Sequence, residues 1–193
     1  MSKPASQYER EHGAAKAGAC LRVVGLGNPY AGDDSVGLEI VNRLRARGDT
    51  ECELVALARA GVALVEVLRD VEAVLLIDAV SSGSPAGTLH LIPLPSAEVE
   101  PRVLVSLSSH GWGLAETLEL MEALGRPFPR LALLGVEVET VEPGAPRSKE
   151  VEAAIDIVVS RFSALWEYLA GAEKNGWSGP LRFVPGDTTF PGL

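Results

Sequence analysis

Three features of this sequence predict an α/β fold: a three-layer sandwich around a mixed, mostly parallel sheet of about five strands. Apolar runs alternate with stretches of helical periodicity from Leu21 to Leu169. The run Val74–Val80 is apolar except for Asp78, as expected of a strand covered on both faces. Gly- and Pro-containing turn signals punctuate the runs, beginning with Gly25-Leu26-Gly27-Asn28-Pro29.

Taken in order, Leu21–Leu26 reads as a short buried strand. Val36, Ile40, Val41 and Leu44 then recur at helical spacing, with Asp33 or Asp34 placed to cap the start. Glu53–Leu57 is a second strand, and Val62, Val65 and Leu68 mark a helix over Gly61–Leu68. Val74–Val80 is the third strand. Thr88–Leu94 is a fourth, assigned to a sheet edge because of Pro93 and Pro95. Leu114, Leu118, Met121 and Leu124 predict a helix closed by Gly125 and Pro127. Leu131–Val138 is the last clear strand. Ser148–Leu169 reads as one long helix with Val151, Ile155, Val158, Phe162, Leu165 and Leu169 along a stripe. These elements form a single domain over residues 21–172, preceded by a flexible arm (1–20) and followed by a tail (173–193) whose Trp177, Phe183 and Phe190 leave it either disordered or draped over the body.

With 193 residues, 47% of them hydrophobic and 22% charged, the chain has the composition of a globular domain with a full core. A net charge of −9 argues against nucleic acid, whose phosphates demand a basic face. No apolar run approaches the roughly 18–20 residues of a membrane span, and Met1–Ala19 lacks the apolar stretch of a signal peptide. A cytoplasmic monomer is therefore expected. Cys20 and Cys52, the two cysteines, form neither a disulfide framework nor a zinc knuckle, and each reads as an inert buried thiol.

Chemistry concentrates where loops leave apolar strands. In an open α/β sheet the loops at the carboxyl ends of parallel strands gather along one edge, where ligands bind. Asp34 follows the first strand, Asp78 ends the third, and His110 lies between a Ser-rich stretch and a helix. Each has a plain structural explanation: Asp33 and Asp34 as helix caps, Asp78 as a turn residue bonded by the N–H of Ser81 or Ser82, His110 as a structural histidine. Together, two carboxylates and an imidazole on one edge suit a divalent ion. A serine-hydrolase reading of Ser108, Ser109 and His110 fails, because no nucleophile elbow exists and adjacent residues are poorly placed to share a proton. A dinucleotide reading of Gly25-Leu26-Gly27 fails at Tyr30, where a third glycine is needed.

The combination Gly25-Leu26-Gly27-Asn28-Pro29, Gly32-Asp33-Asp34-Ser35-Val36-Gly37, Ile77-Asp78-Ala79-Val80, Ser108-Ser109-His110-Gly111 and Leu133-Leu134-Gly135-Val136-Glu137 resembles the hydrogenase maturation protease family, over residues 21 to 170. The resemblance implies a phosphorylase/hydrolase-like fold. It also implies an aspartyl-type endopeptidase that removes a C-terminal extension from a nickel–iron hydrogenase large-subunit precursor after nickel insertion. Asp34, Asp78 and His110 then become the site residues, serving both recognition and catalysis, and the cofactor is nickel carried by the substrate. Ser35 stands where that family usually has Gly: a positive φ there would strain Ser, whereas a first helical turn accepts it. The opening Val-Val-Gly-Leu-Gly-Asn-Pro also resembles peptidyl-tRNA hydrolase, but Asp33-Asp34 and the acidic charge disagree with that family. A non-enzymatic nickel-dependent assembly chaperone on the same scaffold is the competing class.

Overall fold

The computed structural model describes residues 21–48, 50–58, 61–94, 114–125, 129–170 and 181–184. The N-terminal arm, most of the tail, Cys20 and His110 lie outside them. The described elements run β1 (Leu21–Leu26), a 3₁₀ turn (Gly32–Ser35), α1 (Val36–Arg47), β2 (Glu53–Leu57), α2 (Gly61–Val67), β3 (Ala73–Val80) and β4 (Leu89–Leu94). They continue with α3 (Leu114–Ala123), β5 (Arg130–Glu137), α4 (Lys149–Ser160), α5 (Phe162–Ala170) and β6 (Leu181–Phe183).

The six strands pair in the order β2-β1-β3-β5-β4-β6. β1, β2, β3 and β5 are mutually parallel, and β4 runs antiparallel to both neighbours. Alternate residues feed two apolar layers, since successive side chains of a strand point to opposite faces. On one face Val23, Leu75, Ile77, Leu134 and Val136 pack with Ile40 and Leu44 of α1, Ile155 and Val158 of α4 and Phe162 of α5. On the other, Val24, Leu76, Val80 and Leu133 pack with Leu64 of α2 and Met121 of α3. This is the expected three-layer sandwich, with six strands in place of about five.

The sixth strand comes from the tail, so the segment drapes over the body at Leu181–Phe183 and covers β4. Its three residues have too little periodicity to announce a strand in sequence. The expectation of an edge position for β4 needs correcting accordingly. Among the described residues β6 spans Leu89–Leu91 of β4, and Pro93, which has no N–H to give, falls beyond that pairing.

The long C-terminal helix is likewise two helices, interrupted at Arg161, whose φ of −105° and ψ of 8° leave the helical basin. The apolar stripe continues across the break because Val158, Phe162 and Leu165 face one core. Periodicity alone therefore could not detect it.

Two glycines bring α1 close to the sheet. A Cβ on Gly37 would lie 2.2 Å from the carbonyl oxygen of Ile77 and 2.4 Å from that of Leu26. A Cβ on Gly25 would lie 2.0 Å from the carbonyl oxygen of Gly37. Backbone therefore touches backbone where α1 crosses β1 and β3, and the turn carrying Asp34 is held against the end of β3.

Candidate functional site at the carboxyl edge

Asp34 rides on the 3₁₀ turn between β1 and α1. The loop leading to it closes on itself: Asp34 N–H donates to the carbonyl of Ala31 at 2.9 Å, and Asn28 N–H donates to the carbonyl of Asp34 at 3.1 Å. Gly27 makes this closure possible. Its φ is +140°, and a Cβ there would sit 2.0 Å from the Asp34 carbonyl oxygen. Ser35 has φ −82° and ψ 0°, a conformation any L-residue adopts, so Ser in place of Gly strains nothing. Its hydroxyl donates to the Gly32 carbonyl at 2.7 Å and accepts from Arg147 Nη1 at 3.0 Å.

The expected capping role of the aspartates is not what the structure shows. Ser35 is the N-cap of α1, and its side chain makes no capping bond. Asp33 is fully buried and turned the other way. Its carboxylate accepts from Ser148 N–H at 2.6 Å, Ser148 Oγ at 3.0 Å, Glu139 N–H at 3.1 Å and Thr140 N–H at 3.4 Å. Asp33 thus fastens the β5–α4 loop to the 3₁₀ turn, and Ser148 in turn caps α4 by accepting from Val151 N–H. A buried carboxylate with several donors is satisfied rather than reactive. The two adjacent acids differ: Asp33 holds the architecture, whereas the charge of Asp34 acts on Asp78.

Asp78 occupies the β3 end, on the α2/α3 face with Leu76 and Val80. Only 7% of its surface is exposed. Its Oδ1 accepts from the N–H of Ala79 at 2.9 Å; the N–H of Ser82, suggested by the turn reading, goes to Glu137 instead. Burial pushes the Asp78 carboxyl well above the usual carboxylate range, the Ala79 bond opposes that shift, and the Asp34 charge adds to it. Asp34 and Asp78 are therefore electrostatic neighbours on one edge, one carried by the 3₁₀ turn after β1 and the other by β3. His110, the third expected member, lies outside the described residues. Their mutual repulsion is what a cation between two carboxylates would remove, and a proton held by Asp78 is one that such a cation would displace.

Two further groups stand beside this pair. Asp78, Gly135 and His90 lie in register across β3, β5 and β4, and Gly135 leaves the middle of the row without a side chain. Glu137, two register positions along on the same face and 1% exposed, accepts from His90 Nε2 at 3.1 Å. Burial lowers the His90 pKa, Glu137 opposes that, and Arg182 on β6 adds to the lowering. Sequence reasoning gave neither a role: His90 reads as a strand residue away from the functional edge, and Glu137 figures only as the end of a motif that carries the resemblance. The signal for Glu137 was present, because it ends an apolar strand as Asp78 does. Away from the edge, burial with help from Glu51 pushes the half-buried Cys52 thiol up to about 11, as befits an unreactive cysteine.

A six-stranded α/β sandwich with an acidic pair at the carboxyl ends of its parallel strands defines the class: an edge-site α/β protein whose loops build the site. Comparison with known proteins makes it specific. Residues 38–164 match the hydrogenase maturation protease family. The hydrogenase 2 maturation protease of Escherichia coli is 30% identical over 160 residues, spanning 81% of this chain and 92% of that one. Among solved structures, the hydrogenase maturating endopeptidase HybD from E. coli superposes with a TM-score of 0.61 at 25% identity, over 88% of this chain and 99% of the other. A hydrogenase 2 maturation peptidase from a Thaumarchaeota archaeon gives 0.55 at 25% identity, over 81% and 98%. The chain belongs to the hydrogenase maturation protease family and is a peptide-bond hydrolase. The matched segment contains Asp78 and His110 and begins past Asp34.

Proposed function

We propose that this enzyme removes the C-terminal extension of a nickel–iron hydrogenase large-subunit precursor once nickel is in place, acting as a monomer in the cytoplasm. Asp34, Asp78 and His110 meet the substrate's nickel and are the catalytic set. The observation that carries the reading is the coupling of two acids at the carboxyl edge, one of them buried and reluctant to ionise. Such a pair is under-neutralised alone and gains a partner when a dication arrives. Two hard oxygens and an imidazole are acceptable nickel ligands that leave coordination positions for the precursor's own groups. Nickel is thus cargo of the substrate, read as a checkpoint, and not a cofactor the enzyme keeps.

The test is incubation with nickel-loaded and nickel-free precursor, following loss of the C-terminal peptide by intact mass. Cleavage is expected only of the loaded form, and equal cleavage of both would remove the checkpoint. His110→Ala and Asp34→Asn should each lower the rate by about 100-fold or more, the scale on which perturbed metal sites lose function, with unchanged circular dichroism. A normal rate in either variant would strike that residue from the site.

A further inference from the structure

Glu137 is chemically invested to a degree that the strand ladder does not require. Its carboxylate accepts four hydrogen bonds: Ser82 N–H at 2.7 Å, Gly83 N–H at 2.9 Å, Ser82 Oγ at 2.8 Å and His90 Nε2 at 3.1 Å. Its backbone holds the other end of the same loop. The Glu137 carbonyl accepts from Gly87 N–H at 2.8 Å, and its N–H donates to the Thr88 carbonyl at 2.8 Å. One residue therefore fastens both ends of the segment from Ser81 to Thr88, the loop that leaves β3 three residues after Asp78. The side chain fixes the start and the backbone fixes the finish. Within the loop, Thr88 N–H and Oγ1 both bond the Pro85 carbonyl, and the serine hydroxyls of Ser82 and Ser84 lie 3.0 Å apart. The far side of Gly87 rests on the Glu150 carbonyl at the start of α4.

We propose that Glu137 is a positioning residue for substrate binding: it holds the β3–β4 loop preformed where the chain leaves Asp78, as a surface against which the precursor's peptide docks, and His90 orients the Glu137 carboxylate. The inference rests on the assignment of Asp78 to the site. Glu137 itself is too buried to meet a peptide, and its bonds go to the loop and to His90. Asp78 is held separately, by the Ala79 N–H and its own strand pairing. Loss of the Glu137 side chain therefore leaves the reacting groups in place and frees the loop start. The ordering cost of that segment is then met on binding instead of on folding. The expected signature is a raised KM with kcat little changed.

The experiment is steady-state cleavage of the precursor, in whichever nickel state the wild-type protein cleaves, by Glu137→Ala, Glu137→Gln, His90→Ala and His90→Gln. Amide hydrogen exchange is followed in the peptide that contains Ser82 and Gly83. Glu137→Ala should raise KM by about tenfold, the effect of ordering roughly one extra residue on binding, with kcat within about threefold and faster exchange of the loop. Glu137→Gln keeps a carbonyl oxygen for the two backbone N–H groups and should recover most of the affinity. His90→Ala should raise KM by a smaller factor. His90→Gln, whose amide can donate to Glu137, should restore it, so the proposal stays exposed even where Glu137→Ala does not fold. Unchanged KM in Glu137→Ala or in His90→Ala alongside loosened exchange of the loop would overturn the proposal, as would a loss confined to kcat. Cleavage without regard to nickel would count against the checkpoint alone, because the KM comparison is made on any form that is cleaved.

Discussion

At Asp78 the proposed function and the stability of the fold pull in opposite directions. A carboxyl whose pKa is raised on folding contributes stability that is complete below its unfolded value and is lost as pH rises through the folded one. Burial raises the Asp78 pKa first and the Asp34 charge adds to it, so ionising the group works against the fold. Asp78→Asn keeps the shape, keeps a carbonyl oxygen for the Ala79 N–H and removes the charge. The variant should be inactive and yet melt above the wild-type protein. A gain near 1 kcal/mol moves Tm by about 2–4 °C in a chain of this size. The gap between the two Tm values should widen toward alkaline pH and close in acid, where wild-type Asp78 is protonated too. Thermal melts across pH 4 to pH 9 give the answer; a variant less stable than wild type throughout would mean that the Asp78 carboxylate is not strained by the fold. Asp33, in the same turn as Asp34, has a different part. It has four donors and is structural, though sequence spacing gives it the same standing as Asp34. Which of two adjacent acids points at a site depends on the rotation of one turn of backbone, and no composition or period encodes that.

At the scale of elements, the placement of Asp34 against β3 depends on the crossing of α1 over the sheet. Gly37 lies 2.2 Å, measured from the Cβ it lacks, from the Ile77 carbonyl oxygen, and Ile77 immediately precedes Asp78. Backbone atoms do not yield as a flexible side chain does. Gly37→Ala should therefore push α1 off the sheet, at a cost above about 3 kcal/mol, beyond the usual range for overpacking. Denaturant titration reads this directly. The variant should also lose cleavage even where it folds, because the two acids separate; full activity with full stability would show that α1 has slack at this contact. Much of this layer was legible. The strands β1, β2 and β3 begin and end within a residue of where apolar runs and turn signals put them; β1 and β3, covered on both faces, show as largely apolar runs. What the pattern missed is of two kinds. The break at Arg161 preserves the buried stripe and so leaves no mark on the period. The Glu137 clamp is made by side chain to backbone bonds across 55 and 54 residues of sequence, which local patterns do not record. The acids at the strand ends were readable as a set, since an ionisable group ending an apolar strand is conspicuous wherever it occurs.

For the molecule as a whole, β6 decides how the sheet ends. β4 is the one antiparallel strand, and β6 continues past it with three residues drawn from beyond the last helix. Phe183 is 7% exposed and joins the cluster of Leu89, Leu91 and Phe162, so the chain's far end is tied to the same core that supports α4 and α5. An uncovered β4 would offer unpaired backbone to other chains; β6 blunts that hazard over Leu89–Leu91, and Pro93 lacks a donor beyond it. Phe183→Ala should cost about 3 kcal/mol, the lower part of the range for buried Phe, because a three-residue strand can settle into the space. That corresponds to a fall in Tm of about 6–12 °C. The effect on cleavage should be small below the melting range. Phe183 is on the face opposite Asp78, among the first apolar layer, and none of the bonds that hold Asp78, Asp33 or Glu137 runs through it. His90 makes the comparison informative, since it pairs with Arg182 on β6 and Arg182 contributes to its lowered pKa. If β6 detached altogether, the His90–Glu137 contact would be disturbed and KM would rise along with the fall in Tm. A lowered Tm with an unchanged KM would locate the role of Phe183 in sheet closure alone, whereas an unchanged Tm would show that β6 contributes nothing to the fold.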